Sequence, residues 1–276
     1  MTRLATALAA LIALPAAALA EEARTTPVLV LSEDFESAPY LFEHPNVEPA
    51  PGEGVDGGTA GRFTYVGYDR GSERIVRRVR LDERGTEYTL NYDVRFEEDF
   101  QFVGGGKLHG FGPDRSVTGG QDDRPDGWSA RVNFGRGGGV RTYLYVQDRP
   151  GQWGVSRGNP DFAFEKGRYH AVSFHVRLND VGEENGFANV YVDGERIVTH
   201  EGVAFRGTDE DSALISRFLV STFHGGSSPE WAPVDEDGEY VNVHAHFDNI
   251  TVYRGRYIRP EPGAAPPESA NGDGPE

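Results

Sequence analysis

Residues 87–96 read EYTLNYDVRF, and their alternation decides the fold. Tyr88, Leu90, Tyr92, Val94 and Phe96 fall on one side of an extended chain, and Thr89, Asn91, Asp93 and Arg95 on the other. Successive side chains of a strand point to opposite faces, so this stretch predicts a strand with one apolar face. The pattern returns at 170–178, where His170, Val172, Phe174, Val176 and Leu178 alternate with Ala171, Ser173, His175 and Arg177. Asp193-Gly194, between 188–192 and 195–199, is a two-residue hairpin signal. Further strands are predicted at 27–31, 62–67, 73–80, 128–134, 140–146, 216–223 and 241–253. After residue 20 no stretch carries a helical period, and the chain shows no internal repeat. Many short antiparallel strands between Gly-rich loops predict an all-β fold, a single jelly-roll β-sandwich with a concave cleft. Nothing in the composition divides 25–258, which reads as one domain.

The chain around that domain narrows the functional classes. Its 276 residues hold 27 Lys and Arg against 44 Asp and Glu, a net charge of −17. A duplex-DNA binder needs a basic footprint, so a nucleic-acid partner is excluded. Cysteine is absent, which removes disulfides, thiolate metal sites and thiol catalysis. Residues 1–20, MTRLATALAALIALPAAALA, have the charged start, apolar run and small-residue end of a secretory signal peptide cut before Glu21. The expected location is therefore secreted or periplasmic. No later segment is apolar and long enough to span a bilayer, so no membrane insertion is expected. Residues 259–276 are rich in Pro, Gly and acidic residues and are expected to form a disordered tail. A monomer is expected.

Two neighbouring strands carry unusual polar faces. Ser129, Arg131 and Asn133 point one way from 128–134, and Arg141, Tyr143 and Tyr145 share a face of 140–146. The Gly135–Gly139 loop would join them as a hairpin and lay these faces side by side. GGGKLHGF at 104–111 places Lys107 in a Gly-rich segment that can approach a ligand closely. Between 104 and 159 there are eight Lys and Arg against five Asp and Glu, an inversion of the chain's overall sign. A basic cleft on an acidic body steers an anionic ligand to one place, and aromatics interleaved with arginines suit an acidic polysaccharide. Arg74, Arg77, Arg78 and Arg80 form a basic strand that extends this surface, with Arg78 a candidate substrate contact. His244, His246 and Asp248 share a strand face, a spacing open to a metal grouping; a polar sheet face explains them as well, and no metal is expected. Glu33, Asp34, Glu36 and Asp248 are the candidates for a structural calcium, and no cofactor is required. Trp128, Trp153 and Trp231 belong either to the core or to sugar subsites.

The run LNYDVRFEEDFQFVGGGKLHGF at 90–111 resembles the central signature of polysaccharide lyase family 14, the alginate and glucuronan lyases. The resemblance continues through WSARVNF (128–134), TYLYV (142–146), GRYHAVSFHVRLN (167–179), VYVDGERIV (190–198), STFHGGSSPEWAP (221–233) and HFDNITVY (246–253). It covers roughly 85–253. It implies an active site of Lys107, Ser129, Arg131, Tyr143 and Tyr145. The chain departs from the family pattern at His109, where the family usually has Pro, and at His224, where it has an aromatic. The loop at 112–127 is also more acidic than the family's. These positions lie near the implied cleft and bear on substrate choice, so His109 and His224 join Arg141, Asn133 and Arg78 as candidate substrate-binding residues.

The implied reaction is β-elimination on a polyuronate. The carboxylate must be neutralised, the C5 proton removed and the departing O4 protonated. Arg131 suits the first task, because its planar fork engages a carboxylate in two hydrogen bonds. Lys107 is a candidate for stabilising the enolate-like intermediate or, desolvated, for the base; Tyr143 and Tyr145 are candidates for base, acid or both. Ser129 reads as an orienting partner, since no His–carboxylate relay surrounds it. Hydrolysis would need two carboxylates flanking the bond, and the cleft strands carry none. The alternative class is a non-catalytic carbohydrate-binding jelly roll for acidic polysaccharide. A structural or envelope protein is a third class with no positive sign.

Overall fold

The computed structural model describes residues 26–266 apart from 39 and 42. The strands in chain order are β1 (Val28–Glu33), β2 (Val47–Pro51), β3 (Thr59–Tyr68), β4 (Gly71–Ser72), β5 (Ile75–Gly85), β6 (Glu87–Phe96), β7 (Gly105–Gly112) and β8 (Ser129–Gly135). They continue with β9 (Val140–Tyr145), β10 (Tyr169–Arg177), β11 (Gly186–Val192), β12 (Glu195–Val198), β13 (Glu201–Val203), β14 (Ile215–His224) and β15 (Asn242–Arg254). The larger sheet runs β12-β11-β10-β6-β15-β3-β2, with β1 on β15, β13 on β11 and β4 on β3. The smaller sheet runs β5-β14-β7-β8-β9. All pairings are antiparallel, and the two sheets face each other as the expected β-sandwich.

The decade that suggested the fold lies at the centre of the larger sheet, between β10 and β15. Tyr88, Leu90, Tyr92, Val94 and Phe96 are all fully buried and meet the smaller sheet. The Phe96 ring lies 5.8 Å from that of Phe134 on β8, and Tyr88 lies 6.0 Å from Phe111 on β7. Each such ring contributes about 2–3 kcal/mol through burial. Asp193 and Gly194 take φ of +51° and +81° between β11 and β12, the left-handed pair that a tight hairpin needs.

The structure adds two features that the sequence reading left open and corrects one expectation. First, the Gly-rich 104–111 segment forms a central strand, β7. Its glycines admit neighbouring backbone: a Cβ on Gly110 would meet the Ala130 carbonyl oxygen at 1.9 Å. Second, β7 carries a bulge. Lys107 pairs with Asn133 and Gly110 with Arg131, so three steps on β7 match two on β8. The extra residue turns both Leu108 and His109 into the core. Third, the chain stays on the fold beyond 258. Arg259 is buried and pairs with Asp93 at 3.1 Å, the Gly263 N–H donates to Asp93 at 3.0 Å, and the Tyr257 hydroxyl donates to the Ala265 carbonyl at 3.0 Å. This strap closes the outer face of β6, where Thr89, Asn91 and Asp93 are buried although they alternate with the core residues. A polar, Pro-rich segment needs no apolar core when backbone hydrogen bonds and one buried ion pair hold it. The rest of the expected tail, 267–276, and the expected signal peptide, 1–20, lie outside the described residues.

No helix among the described residues is long and apolar enough to cross a membrane.

Candidate active site

The smaller sheet's face away from the core forms a cleft of about 1030 Å³. Its lining includes Lys107, Arg131, Asn133, Arg141, Tyr143 and Tyr145, together with Arg78 and Trp153. The register produces this convergence: Ser129 pairs with Tyr145, Arg131 with Tyr143 and Asn133 with Arg141 across β8 and β9, while Lys107 on β7 pairs with Asn133. Seven Lys and Arg residues line the cleft and no Asp or Glu does.

Lys107 is the centre of this group. Its Nζ lies 3.8 Å from the centroid of the Tyr143 ring. Asn133 accepts from that Nζ at 3.1 Å and donates to the Val132 carbonyl at 3.0 Å, the amide orientation its neighbours dictate. Burial, aided by the charges of Arg131 and Arg141, pushes the Lys107 ammonium down to about 7. Burial also lowers Arg131 to about 10, so it keeps its charge at neutral pH. Arg131 Nη1 donates to Ser129 Oγ at 3.0 Å, and Ser129 donates in turn to the Val117 carbonyl at 2.7 Å. Ser129 is fully buried, so it positions Arg131 and does not meet a ligand. Burial and the hydrogen bond with Tyr145 raise Tyr143 to about 12, which keeps its proton in place. The two tyrosine hydroxyls are 3.4 Å apart. Tyr145 is itself 1% exposed and its hydroxyl accepts from the Gly120 N–H at 3.0 Å, so it stands behind Tyr143 at the cleft wall.

Of the residues expected to bind substrate, His109 does not reach the cleft, and His224 lines it with little of its surface exposed. His109 is fully buried, with its ring 4.8 Å from that of Phe247 and 5.2 Å from that of Tyr92, and its Nδ1 accepts from the Ser221 N–H at 3.2 Å. Burial holds it down to about 3, a neutral core histidine. The β7 bulge is the cause. His224 ends β14 at the cleft floor, but its ring is turned inward, stacked 5.3 Å from Phe100 and donating through Nε2 to the Gln101 carbonyl at 2.7 Å. Burial brings it to about 4. Arg78, Arg141 and Asn133 do line the cleft.

The polar groups that the sequence offers as metal ligands are otherwise engaged. His246 and His244 turn to Glu97, at 2.9 and 3.5 Å. The Glu33, Asp34, Glu36 and Asp248 carboxylates accept from the N–H groups of Phe35 and Leu41, Glu36, Thr59, and Val55 respectively. No group of three His, Asp or Glu among the described residues is placed to hold a metal ion.

Sequence reasoning missed Arg149 as part of the site. Its guanidinium lies 4.6 Å from the Tyr145 ring, and its side chain is 4% exposed. It pairs with Asp123 at 3.0 Å and also donates to the Gln121 carbonyl. It therefore fixes the 118–123 loop, and with it the Gly120 N–H, against Tyr145. Asp123 lies 26 residues away in sequence, and no local spacing reveals the pair. The tryptophans divide: Trp128 is core, Trp153 stands 60% exposed at the cleft edge, and Trp231 lines the cleft against Gly104 and Gly226.

A family model described as Polysaccharide lyase 14 matches residues 60–244. A comparison with curated proteins gives no match. Among solved structures, the marine alginate lyase from Aplysia kurodai is 24% identical at a TM-score of 0.63, covering 82% of this chain and 99% of its own. The endo-β-1,4-glucuronan lyase from the fungus Trichoderma reesei is 18% identical at 0.61, over 86% and 100%. The alginate lyase from a Chlorella virus is 20% identical at 0.61, over 75% and 89%. At these identities the solved structures establish the sandwich, and the family match covers both sheets and the cleft.

Proposed function

The chain belongs to polysaccharide lyase family 14, and from that premise we propose that it is an exported lyase that breaks a polyuronate of the alginate or glucuronan type by β-elimination. The observation that carries the substrate class is the cleft lining: seven cations and no carboxylate, in a chain of net charge −17. Such a site binds a polyanion and lacks the paired carboxylates a glycoside hydrolase uses.

In the proposed reaction, Arg131 binds the uronate carboxylate and draws off the charge that develops as C5 is deprotonated. Lys107, neutral above about pH 7, takes the C5 proton. The electron pair of the C5–H bond forms the C4=C5 double bond as the C4–O4 bond breaks. Tyr143, held protonated, gives its proton to the departing O4. Ser129 holds the Arg131 fork, and Tyr145 orients the Tyr143 hydroxyl. No step calls for a metal, so turnover should be unchanged after exhaustive EDTA treatment. Export through the leader at 1–20 and action as a monomer belong to the same proposal.

Ultraviolet absorbance tests the reaction. Elimination leaves a double bond conjugated to the carboxylate, which hydrolysis cannot make. Signal should rise when the protein purified from residue 21 onward meets alginate or glucuronan, and Lys107→Met should abolish it. Binding of both polymers with no absorbance from either would replace the lyase by a carbohydrate-binding protein.

A further inference from the structure

We propose that the arginine edge formed by Arg74 and Arg78, at the start of β5, is a second carboxylate-binding platform, which grips uronate residues of the polymer away from the scissile bond. This rests on the reading of the cleft as that of a polyuronate lyase.

The register carries the inference. β5 is the edge strand of the smaller sheet, on the side opposite β9. One straight row crosses all five strands: Arg78, Leu219, Gly110, Arg131 and Tyr143. Arg78 and Arg131 are thus three strand spacings apart at their backbones, about 14 Å. Between them the floor is low, since Gly110 has no side chain and Leu219 is 2% exposed. A parallel row runs Phe223, Lys107, Asn133 and Arg141, and Arg74 closes it with its guanidinium 5.6 Å from the Phe223 ring. The elimination centre on β7 to β9 and the arginines at the β5 edge, Arg78 on the strand and Arg74 just before it, therefore line two sides of one trough, with the Arg78 and Arg131 backbones about 14 Å apart.

The charges at the β5 end lack partners. Arg74 and Arg78 have no ion pair among the described residues, and Arg78 lies close enough to Arg131 for the two like charges to oppose each other. Arg84 and Arg217, in the same sheet but outside the trough, both pair with Asp114, at 2.7 and 3.3 Å, whereas Arg80, on β5 outside the cleft lining, has no ion pair among the described residues. A chain with 44 acidic residues leaves these two arginines unneutralised where a ligand would lie. Val76, on the same strand face between them, is 51% exposed. An apolar spot flanked by guanidinium groups suits the C–H face of a sugar ring with carboxylates at its rim.

The test compares the native enzyme with Arg74→Met, Arg78→Met and the double variant, on polyuronate and on purified oligouronates of increasing length. Arg196→Met, on β12 of the other sheet, controls for net charge. The double variant should raise KM for polymer at least about tenfold, with kcat within about twofold, because uniform binding is lost and not transition-state binding. At salt concentrations high enough for kcat/KM to decline, its log(kcat/KM) should fall less steeply with log salt than that of the native enzyme. The shortest cleavable oligomers and Arg196→Met should show no change. An unchanged KM on polymer, or an equal loss on short and long substrates, overturns the platform. Should the native enzyme give no unsaturated product from alginate or glucuronan, the lyase reading fails and affinity electrophoresis in the same polymers decides the platform. Weaker retardation of the double variant than of the native protein supports it, and equal or absent retardation of both overturns it.

Discussion

At the scale of single residues, the site depends on a lysine placed where its charge is unwelcome. Lys107 ordinarily titrates near 10.5, and burial beside Arg131 and Arg141 brings it to about 7. As the base it must be neutral, so kcat/KM should climb about tenfold per pH unit below about 7 and level above it. A rate highest in acid and falling through pH 7 would remove Lys107 from that role. The same shift acts on stability. Between about 7 and 10.5 the folded state holds fewer protons than the unfolded one, so stability rises with pH across that window, and the full cost applies below it. Lys107→Met should therefore lose about 10³-fold or more in turnover and yet gain on the order of 2 kcal/mol at pH 6, with the gain vanishing above pH 10. Thermal unfolding at the two pH values reads this directly. Ser129 offers the complementary case. Ser129→Ala leaves Arg131 Nη1 without its 3.0 Å acceptor and should reduce kcat/KM about tenfold, with about 1 kcal/mol lost from stability. Arg149→Met should lower kcat more than it raises KM, because Arg149 reaches the reaction only through Tyr145 and the Gly120 N–H.

At the scale of elements, β7 shows which structure was readable and which was not. Regular strands announce themselves by alternation, so β6, β8, β9, β10 and the Asp193-Gly194 hairpin stand within a residue or two of their expected places. β7 has four glycines in eight residues and shows no strand alternation, because the reason for glycine there is the backbone of β8. That reason is non-local and leaves no pattern. The bulge is equally silent, and it alone separates Lys107 in the cleft from His109 in the core. The polar pairing of β8 with β9 was legible because a short Gly loop fixes the register of a hairpin. The 255–265 strap was illegible for a different reason: its anchors are hydrogen bonds to distant groups. Arg259→Ala tests the strap. It leaves the fully buried Asp93 carboxylate without its cation and should cost about 3 kcal/mol at pH 7. Burial already raises Asp93 above its ordinary value, so the folded state binds the proton more tightly than the unfolded one and stability falls as pH rises. Without Arg259 that upward shift grows, so the variant's deficit in Tm should shrink as pH is lowered from 7 toward 4. A deficit independent of pH would mean that the loss lies in packing and not in the ion pair.

At the scale of the whole molecule, the distribution of charge decides what reaches the cleft. A body of net charge −17 repels a polyuronate at long range, whereas the cleft presents the opposite sign. Both fields are screened over about 10 Å at 0.1 M salt. The body's repulsion is spread over the surface and acts at a distance, so low salt weakens it first. The cleft's attraction acts at contact, through groups such as Arg131 and Lys107 that are shielded from solvent, and it yields only as counterions compete for the bound polymer. These two dependences have opposite signs. Raising NaCl from near zero should first speed association and then weaken it, so kcat/KM on polymer passes through a maximum at intermediate salt. In the proposed mechanism the chemistry passes between the half-buried Lys107 and Tyr143, so kcat should vary by less than about twofold over the same range. Steady-state kinetics from about 0.01 to 1 M NaCl separate the two parameters. A monotonic fall of kcat/KM from the lowest salt would show that the acidic body exerts no barrier. A fall in kcat with KM flat would move the salt effect out of binding and into the reacting groups themselves.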